Sequence, residues 1–134
     1  MAATTRVLIV EDHGLFAQAL ELLLGQRLAD EGGAGAEFAR AATVADGLEV
    51  ADRHGPFHLA VVDLVLPDGN GADLVREVKA AHPETRVAVL SAVADLSGAL
   101  SAGADEAISK MVPLPEIVAR IEALARAAGG RPAT

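Results

Sequence analysis

Cysteine is absent from the 134 residues, which excludes disulfides, thiolate metal sites and thiol nucleophiles together. Aromatic residues are nearly absent as well: there is no Trp and no Tyr, and Phe16, Phe38 and Phe57 complete the set. Packing therefore falls to aliphatic side chains, which a 51% hydrophobic chain supplies. Basic residues are the minority, 11 Lys and Arg against 19 Asp and Glu, for a net charge of −8. Phosphate backbones and anionic lipids are gripped by clustered cations, so direct nucleic-acid binding and membrane binding are not expected of this chain. No apolar run approaches the ~20 residues of a membrane span. Met1–Arg6 leads into an apolar run without a signal-peptide core. The length suits one domain, able to bury roughly two-thirds of its unfolded surface. The expectation is a soluble, acidic, cytoplasmic domain.

What is present alternates between two textures. Short β-branched runs occur at Val7–Val10, Leu59–Val62 and Val87–Leu90, each ending at a polar residue. Continuous apolarity suggests strands covered on both faces. Ala36–Ala41 and Ala107–Ser109 are weaker strand candidates. Between them lie helix-period segments. Leu15, Phe16, Ala19, Leu20 and Leu22–Leu24 form a broad stripe expected to end at Gly25. Thr43 opens a second helix, with Asp46 as capping-box partner and Val44, Leu48 and Ala51 facing inward. Leu74, Val75 and Val78 mark a third, stopped at His82-Pro83. A short fourth covers roughly Ala94–Ala102, weakened by Gly98. Pro115 opens the last, in which Ile117, Val118, Ile121, Leu124 and Ala125 recur at helical spacing. The alternation predicts an α/β domain over 1–128, with one parallel sheet, helices on both faces and right-handed crossovers. Ala29–Gly35 reads as a loose loop, and 129–134 as a tail or the start of a linker.

In such a sheet, ligands bind beyond the carboxyl ends of the strands. The first strand ends at Glu11-Asp12, the third at Asp63, the fourth at Ser91 and the fifth at Lys110. Topology gathers them at one rim. Each pair of carboxylates at ~4 Å costs on the order of 4 kcal/mol at an effective dielectric near 20. Either one protonates or a cation neutralises them, and all-oxygen ligands suit Mg²⁺ better than zinc. A divalent ion beside Asp63 would attract a phosphoryl group, making Asp63 a nucleophile that forms an acyl phosphate. Ser91 would donate to one phosphoryl oxygen and Lys110 would neutralise another. His13, His54, His58 and His82 lack metal-ligand spacing and read as surface or cap residues, with His13 at most lining the site. Gly69 and Gly71 read as a turn rather than a phosphate loop.

Val7-Leu-Ile-Val-Glu-Asp-His13, Val62-Asp-Leu-Val-Leu-Pro-Asp-Gly-Asn-Gly71, Val89-Leu-Ser-Ala92 and Gly103-Ala-Asp-Glu-Ala-Ile-Ser-Lys110 together resemble the receiver (CheY-like) domain of two-component response regulators. The likeness runs from Arg6 to about Ala128. The wording of Asp12-His13 and Asp68–Gly71 is similar to the NarL/LuxR-type subfamily, whose members carry a helix-turn-helix output domain. The resemblance implies a doubly wound (βα)5 fold with flavodoxin-like strand order 2-1-3-4-5. It implies that Asp63 is the phospho-acceptor, that Glu11, Asp12, Asp63 and the backbone carbonyl of Val65 hold Mg²⁺, and that Ser91 and Lys110 contact the phosphoryl group. It also implies a sensor histidine kinase as donor, and a partner protein or DNA-binding output domain as recipient. A phosphorylation-dependent homodimer is a further implied partner.

Three departures from that pattern fall on the face that normally transmits the signal. Ala107 stands where the family commonly has Tyr or Phe, Met111 follows the lysine where proline is common, and Ser91–Lys110 is about one helical turn short. They motivate an alternative: an atypical receiver that binds partners without phosphorylation. An enzyme or flavoprotein is not expected. Glu11-Asp12 puts negative charge where a flavin phosphate would lie. A haloacid-dehalogenase-type phosphatase would place a second Asp where Gly14 stands. Val65 and Val93, each two residues beyond a rim residue, suggest slow loss of the phosphoryl group.

Overall fold

The computed structural model describes residues 4–30, 33–92 and 96–129. In chain order these form β1 (Thr5–Val10), α1 (Gly14–Ala29), β2 (Ala36–Ala41), α2 (Val44–His54), β3 (Leu59–Asp63), β4 (Val65–Leu66) and β5 (Gly69–Asn70). There follow α3 (Gly71–Ala81), β6 (Arg86–Ser91), α4 (Ser97–Ser101), β7 (Glu106–Ser109) and α5 (Leu114–Gly129). The main sheet is parallel throughout, in the order β2-β1-β3-β6-β7. Counting only its own strands, that is the expected 2-1-3-4-5. β4 and β5 form a separate antiparallel hairpin just above Asp63.

Alternation along β1 decides which helices cover which face. Val7 and Ile9 join Leu20 and Leu24 of α1 and Ile117 and Ile121 of α5 in one apolar layer. Leu8 and Val10 join Ala51 of α2 and Leu74 and Val78 of α3 in the other. All four β1 residues are buried, so a strand that alternates in space reads as continuously apolar in sequence. Gly47 brings α2 close to the sheet: a Cβ there would stand 2.9 Å from Leu74 Cδ2 and 3.2 Å from Val10 Cγ2.

Several expectations need correction. Helix α1 passes through Gly25 and ends at Ala29, because Gly25 lies beside the Phe38 ring, 3.4 Å from where its Cβ would be. Within α1 the buried set is Ala17, Leu20, Leu24 and Leu28, while Leu15 and Leu22 face solvent. The fourth helix covers only Ser97–Ser101, and Ala94 and Asp95 fall outside the described residues. Helix α5 includes Gly129, and residues 130–134 of the expected tail or linker lie outside the described residues. Thr43 does cap α2, its Oγ1 accepting from Asp46 N at 3.0 Å.

At the amino-terminal end of the sheet the strands are fastened by side chains. Asp105 Oδ2 accepts from Val87 N at 2.8 Å and from Lys79 Nζ at 3.1 Å. Asp105 N donates to Val87 O at 2.8 Å. The buried Thr85 hydroxyl donates to Phe57 O at 2.7 Å. His58, expected at the surface, instead accepts from Arg6 N through Nδ1 at 2.9 Å. Among the described residues, no helix is long and apolar enough to cross a membrane.

Candidate functional site

Parallel strands deliver their carboxyl ends to one rim, and backbone bonds hold those ends level. Glu11 N donates to Ala41 O at 3.0 Å, Leu64 N to Leu90 O at 2.9 Å and Lys110 N to Ser91 O at 2.8 Å. Glu11 and Asp12 follow β1, Asp63 closes β3, Ser91 closes β6 and Lys110 follows β7. Glu11, Asp63 and Ser91 are buried, whereas Asp12 and His13 are exposed.

The centre of the site is the Lys110 ammonium. It donates to Asp63 Oδ2 at 2.9 Å and to both Glu11 oxygens at 3.0 and 3.1 Å. The other Asp63 oxygen accepts from Val65 N at 3.2 Å, so both carboxylate oxygens are oriented. Burial, reinforced by the adjacent Asp63 carboxylate, holds the Glu11 pKa above its ordinary value, against the opposing influence of Lys110 and His13. For Lys110, burial is the largest single influence and favours the neutral amine. The bonds to Asp63 and Glu11 together outweigh it, and its pKa lies above that of an ordinary lysine.

Glu11, Asp12, His13 and Asp63 bring one ligand atom each within 4.8 Å of one another. Three carboxylates against one ammonium leave two negative charges, the deficit that one divalent cation makes good. Oxygen donors with solvent access on the Asp12 side suit a hard cation such as magnesium, so the residues present fit that ion. A groove lined by Glu11, Asp12, Arg40 and Asp46 opens beside them.

The loop above Asp63 is built to hold it. A Cβ on Gly71 would stand 2.1 Å from the Asp63 carbonyl oxygen, so the chain passes there only without a side chain. Gly71 N donates to Leu64 O at 2.7 Å, and Asn70 Oδ1 caps α3 by accepting from Ala72 N at 2.8 Å. Asp68 reaches across to α2, accepting from Val44 N at 2.7 Å and Ala45 N at 3.0 Å. Those two amides hold its pKa below the ordinary carboxylate value. After Lys110, the Ser109 hydroxyl accepts from Met111 N at 3.1 Å, closing the turn without a proline at that position.

The structure thus brings Glu11, Asp12, Asp63 and Lys110 together, with Ser91 at the end of the neighbouring strand and Val65 beside Asp63. Val93 lies outside the described residues. Sequence reasoning missed two participants and placed a third, His13, no nearer than the lining of the site. Phe16 lies under the Lys110 ammonium, 4.9 Å from its ring centroid. His13 Nδ1 is 2.8 Å from Glu11 Oε1 and belongs to the cluster rather than the periphery. Asp68 is a helix cap. The one signal available for Phe16 and His13 was position: both fall in the first residues after the acidic pair, where α1 begins.

A family described as response regulator receiver domain matches residues 7–122. The response regulator protein PilR of Pseudomonas aeruginosa is 36% identical over 112 residues, covering 81% of this chain and 23% of PilR. The transcriptional regulatory protein PhoP of Salmonella typhimurium is 34% identical over 128 residues, covering 93% of this chain and 54% of PhoP. The chain therefore spans about a quarter to a half of these relatives. A CheY-like receiver domain protein from Methanospirillum hungatei superposes with a TM-score of 0.80 at 26% identity, covering 94% of this chain and 97% of that one. The narrower likeness to the NarL/LuxR type is not supported, since the relatives matched include PilR and the OmpR-type PhoP.

Proposed function

The chain belongs to the family of response regulator receiver domains, and from that premise we propose that Asp63 accepts a phosphoryl group from the phosphohistidine of a sensor kinase. A carboxylate oxygen of Asp63 attacks phosphorus while the donor's phosphorus–nitrogen bond breaks, and the leaving imidazole keeps that electron pair. Val65 N and Lys110 hold the two Asp63 oxygens in a fixed orientation for the attack. Lys110 neutralises one phosphoryl oxygen, and Ser91 donates to another once the group is in place. Glu11, Asp12, Asp63 and the Val65 carbonyl would hold Mg²⁺, which would supply charge shielding for the incoming phosphoryl oxygens. The domain then acts as a cytoplasmic switch, changing its affinity for a partner protein, an output domain or a second copy of itself.

The observation that carries this reading is Lys110 held between Asp63 and Glu11 at 2.9 and 3.0 Å. Acetyl phosphate with Mg²⁺ adds one phosphoryl group by intact mass, and Asp63→Asn abolishes it. Undiminished labelling of that variant overturns the assignment.

A second reading draws on Ala107 and the five-residue α4: a module that binds partners whatever the state of Asp63. It gains if Asp63→Asn leaves partner affinity unchanged in a calorimetric titration.

A further inference from the structure

We propose that His13 supplies an imidazole nitrogen to the divalent cation held by Glu11, Asp12 and Asp63, and that this ligand turns the site's preference from magnesium toward manganese. The inference rests on the phospho-acceptor reading of the same site.

His13 occupies the N-cap position of α1, yet its side chain makes no capping bond. The ring turns to the carboxylates instead, with Nδ1 2.8 Å from Glu11 Oε1 and 3.4 Å from Asp12 Oδ1. An octahedral ion with bonds of about 2.1 Å sets adjacent ligands ~3.0 Å apart and opposite ones ~4.2 Å apart. The two His13 distances bracket that edge. The 4.8 Å limit spanning all four ligand atoms is a little wider than the octahedral diagonal, so small side-chain rotations complete the set. His13 can make them readily, because 71% of its side chain is exposed. In the metal-free protein Nδ1 donates its hydrogen to Glu11 Oε1, so binding the ion requires the tautomer protonated on Nε2, which leaves the Nδ1 lone pair for the metal.

The donor type sets the selectivity. Magnesium is small, hard and reluctant to exchange oxygen for nitrogen, whereas first-row transition ions accept imidazole. Three carboxylates alone serve either ion. A nitrogen added to them strengthens manganese binding and gives magnesium little.

The test uses the whole chain with Mn²⁺ or Mg²⁺ alone as probe. Pulsed electron paramagnetic resonance reads nitrogen coupling to bound Mn²⁺, and calorimetry reads both affinities. Wild type shows ¹⁴N modulation, which His13→Ala and His13→Asn both lose; asparagine keeps a good N-cap, so the second variant guards against a folding defect. Both variants weaken Mn²⁺ binding roughly tenfold and change Mg²⁺ binding less than about twofold. Bound Mn²⁺ without nitrogen modulation overturns the proposal, as do equal losses for the two ions, or a wild type that binds neither. The phospho-acceptor reading fails on a different result, undiminished labelling of Asp63→Asn by acetyl phosphate, so the two failures are told apart.

Discussion

Gly71 passes so close to Asp63 that a methyl group in place of its hydrogen would stand 2.1 Å from the Asp63 carbonyl oxygen. The clash is with backbone, which no side-chain rotation relieves. Gly71→Ala therefore displaces the end of β3, costing at least the ~1–3 kcal/mol typical of overpacking. Urea denaturation measures that loss, and phosphorylation by acetyl phosphate slows with it. Unchanged stability and labelling rate would contradict the argument.

Lys110 balances two buried carboxylates, and its removal leaves them facing each other. Lys110→Met destabilises the protein by about 3 kcal/mol in a chelator, the low end for a broken buried pair because 16% of the side chain is exposed. Mg²⁺ restores part of that loss, since a divalent cation substitutes for the missing ammonium. Parallel denaturation curves in chelator and in Mg²⁺ read the difference. The wild-type contribution of Lys110, whose folded pKa is raised, is fully present below its unfolded value near 10.5 and is lost as pH climbs through the higher folded value.

Glu11 behaves in the opposite sense to an ordinary acid. Its folded pKa is raised, so its contribution to stability is present below the unfolded value of 4.5 and declines as pH rises through the folded value. At neutral pH the ionised group is a net cost in the metal-free protein. Glu11→Gln accordingly raises the thermal midpoint at pH 7 in chelator while weakening Mg²⁺ binding roughly tenfold or more. A fall in that midpoint would remove the electrostatic account of the site.

Asp68 works at acid pH. Its folded pKa is depressed by Val44 N and Ala45 N, so its contribution is present above the unfolded value of 3.8 and is lost as pH falls through the folded one. Asp68→Ala lowers the midpoint at pH 7, and the difference from wild type narrows as the pH falls below 3.8, as a pH series of thermal melts will register.

Val65 stands beside the proposed acceptor with 61% of its surface exposed. An apolar side chain there hinders the water that hydrolyses an acyl phosphate. Val65→Asn shortens the phosphoryl lifetime severalfold, followed by intact mass after the donor is removed. A lengthened lifetime would count against it.

The rim was legible because parallel strands must end together, so Asp63, Glu11 and Lys110 could be placed from strand endings alone. The faces of α1 were not. Eight apolar residues from Leu15 to Leu24 outnumber the sites one face can bury, and the phase is set by packing of Ala17, Leu20, Leu24 and Leu28 against the sheet. Gly25 misled because a glycine that admits a neighbouring ring looks the same in sequence as one that ends a helix. Asp68 capping α2 joins residues more than twenty apart, and the His13 and Phe16 contacts depend on rotamers. No local pattern encodes either.

The two ends of the sheet are fastened unequally. Away from the carboxylates, Val87 and Asp105 exchange amide hydrogens for each other's oxygens, and Lys79 and Thr85 secure the adjoining turns. Amide protons there are expected to exchange with deuterium more slowly than those of the loops at the acidic end, which native-state hydrogen exchange would measure. Under the proposed switch, that fastened base would serve as the fixed part against which loops and helix ends at the acidic rim could shift.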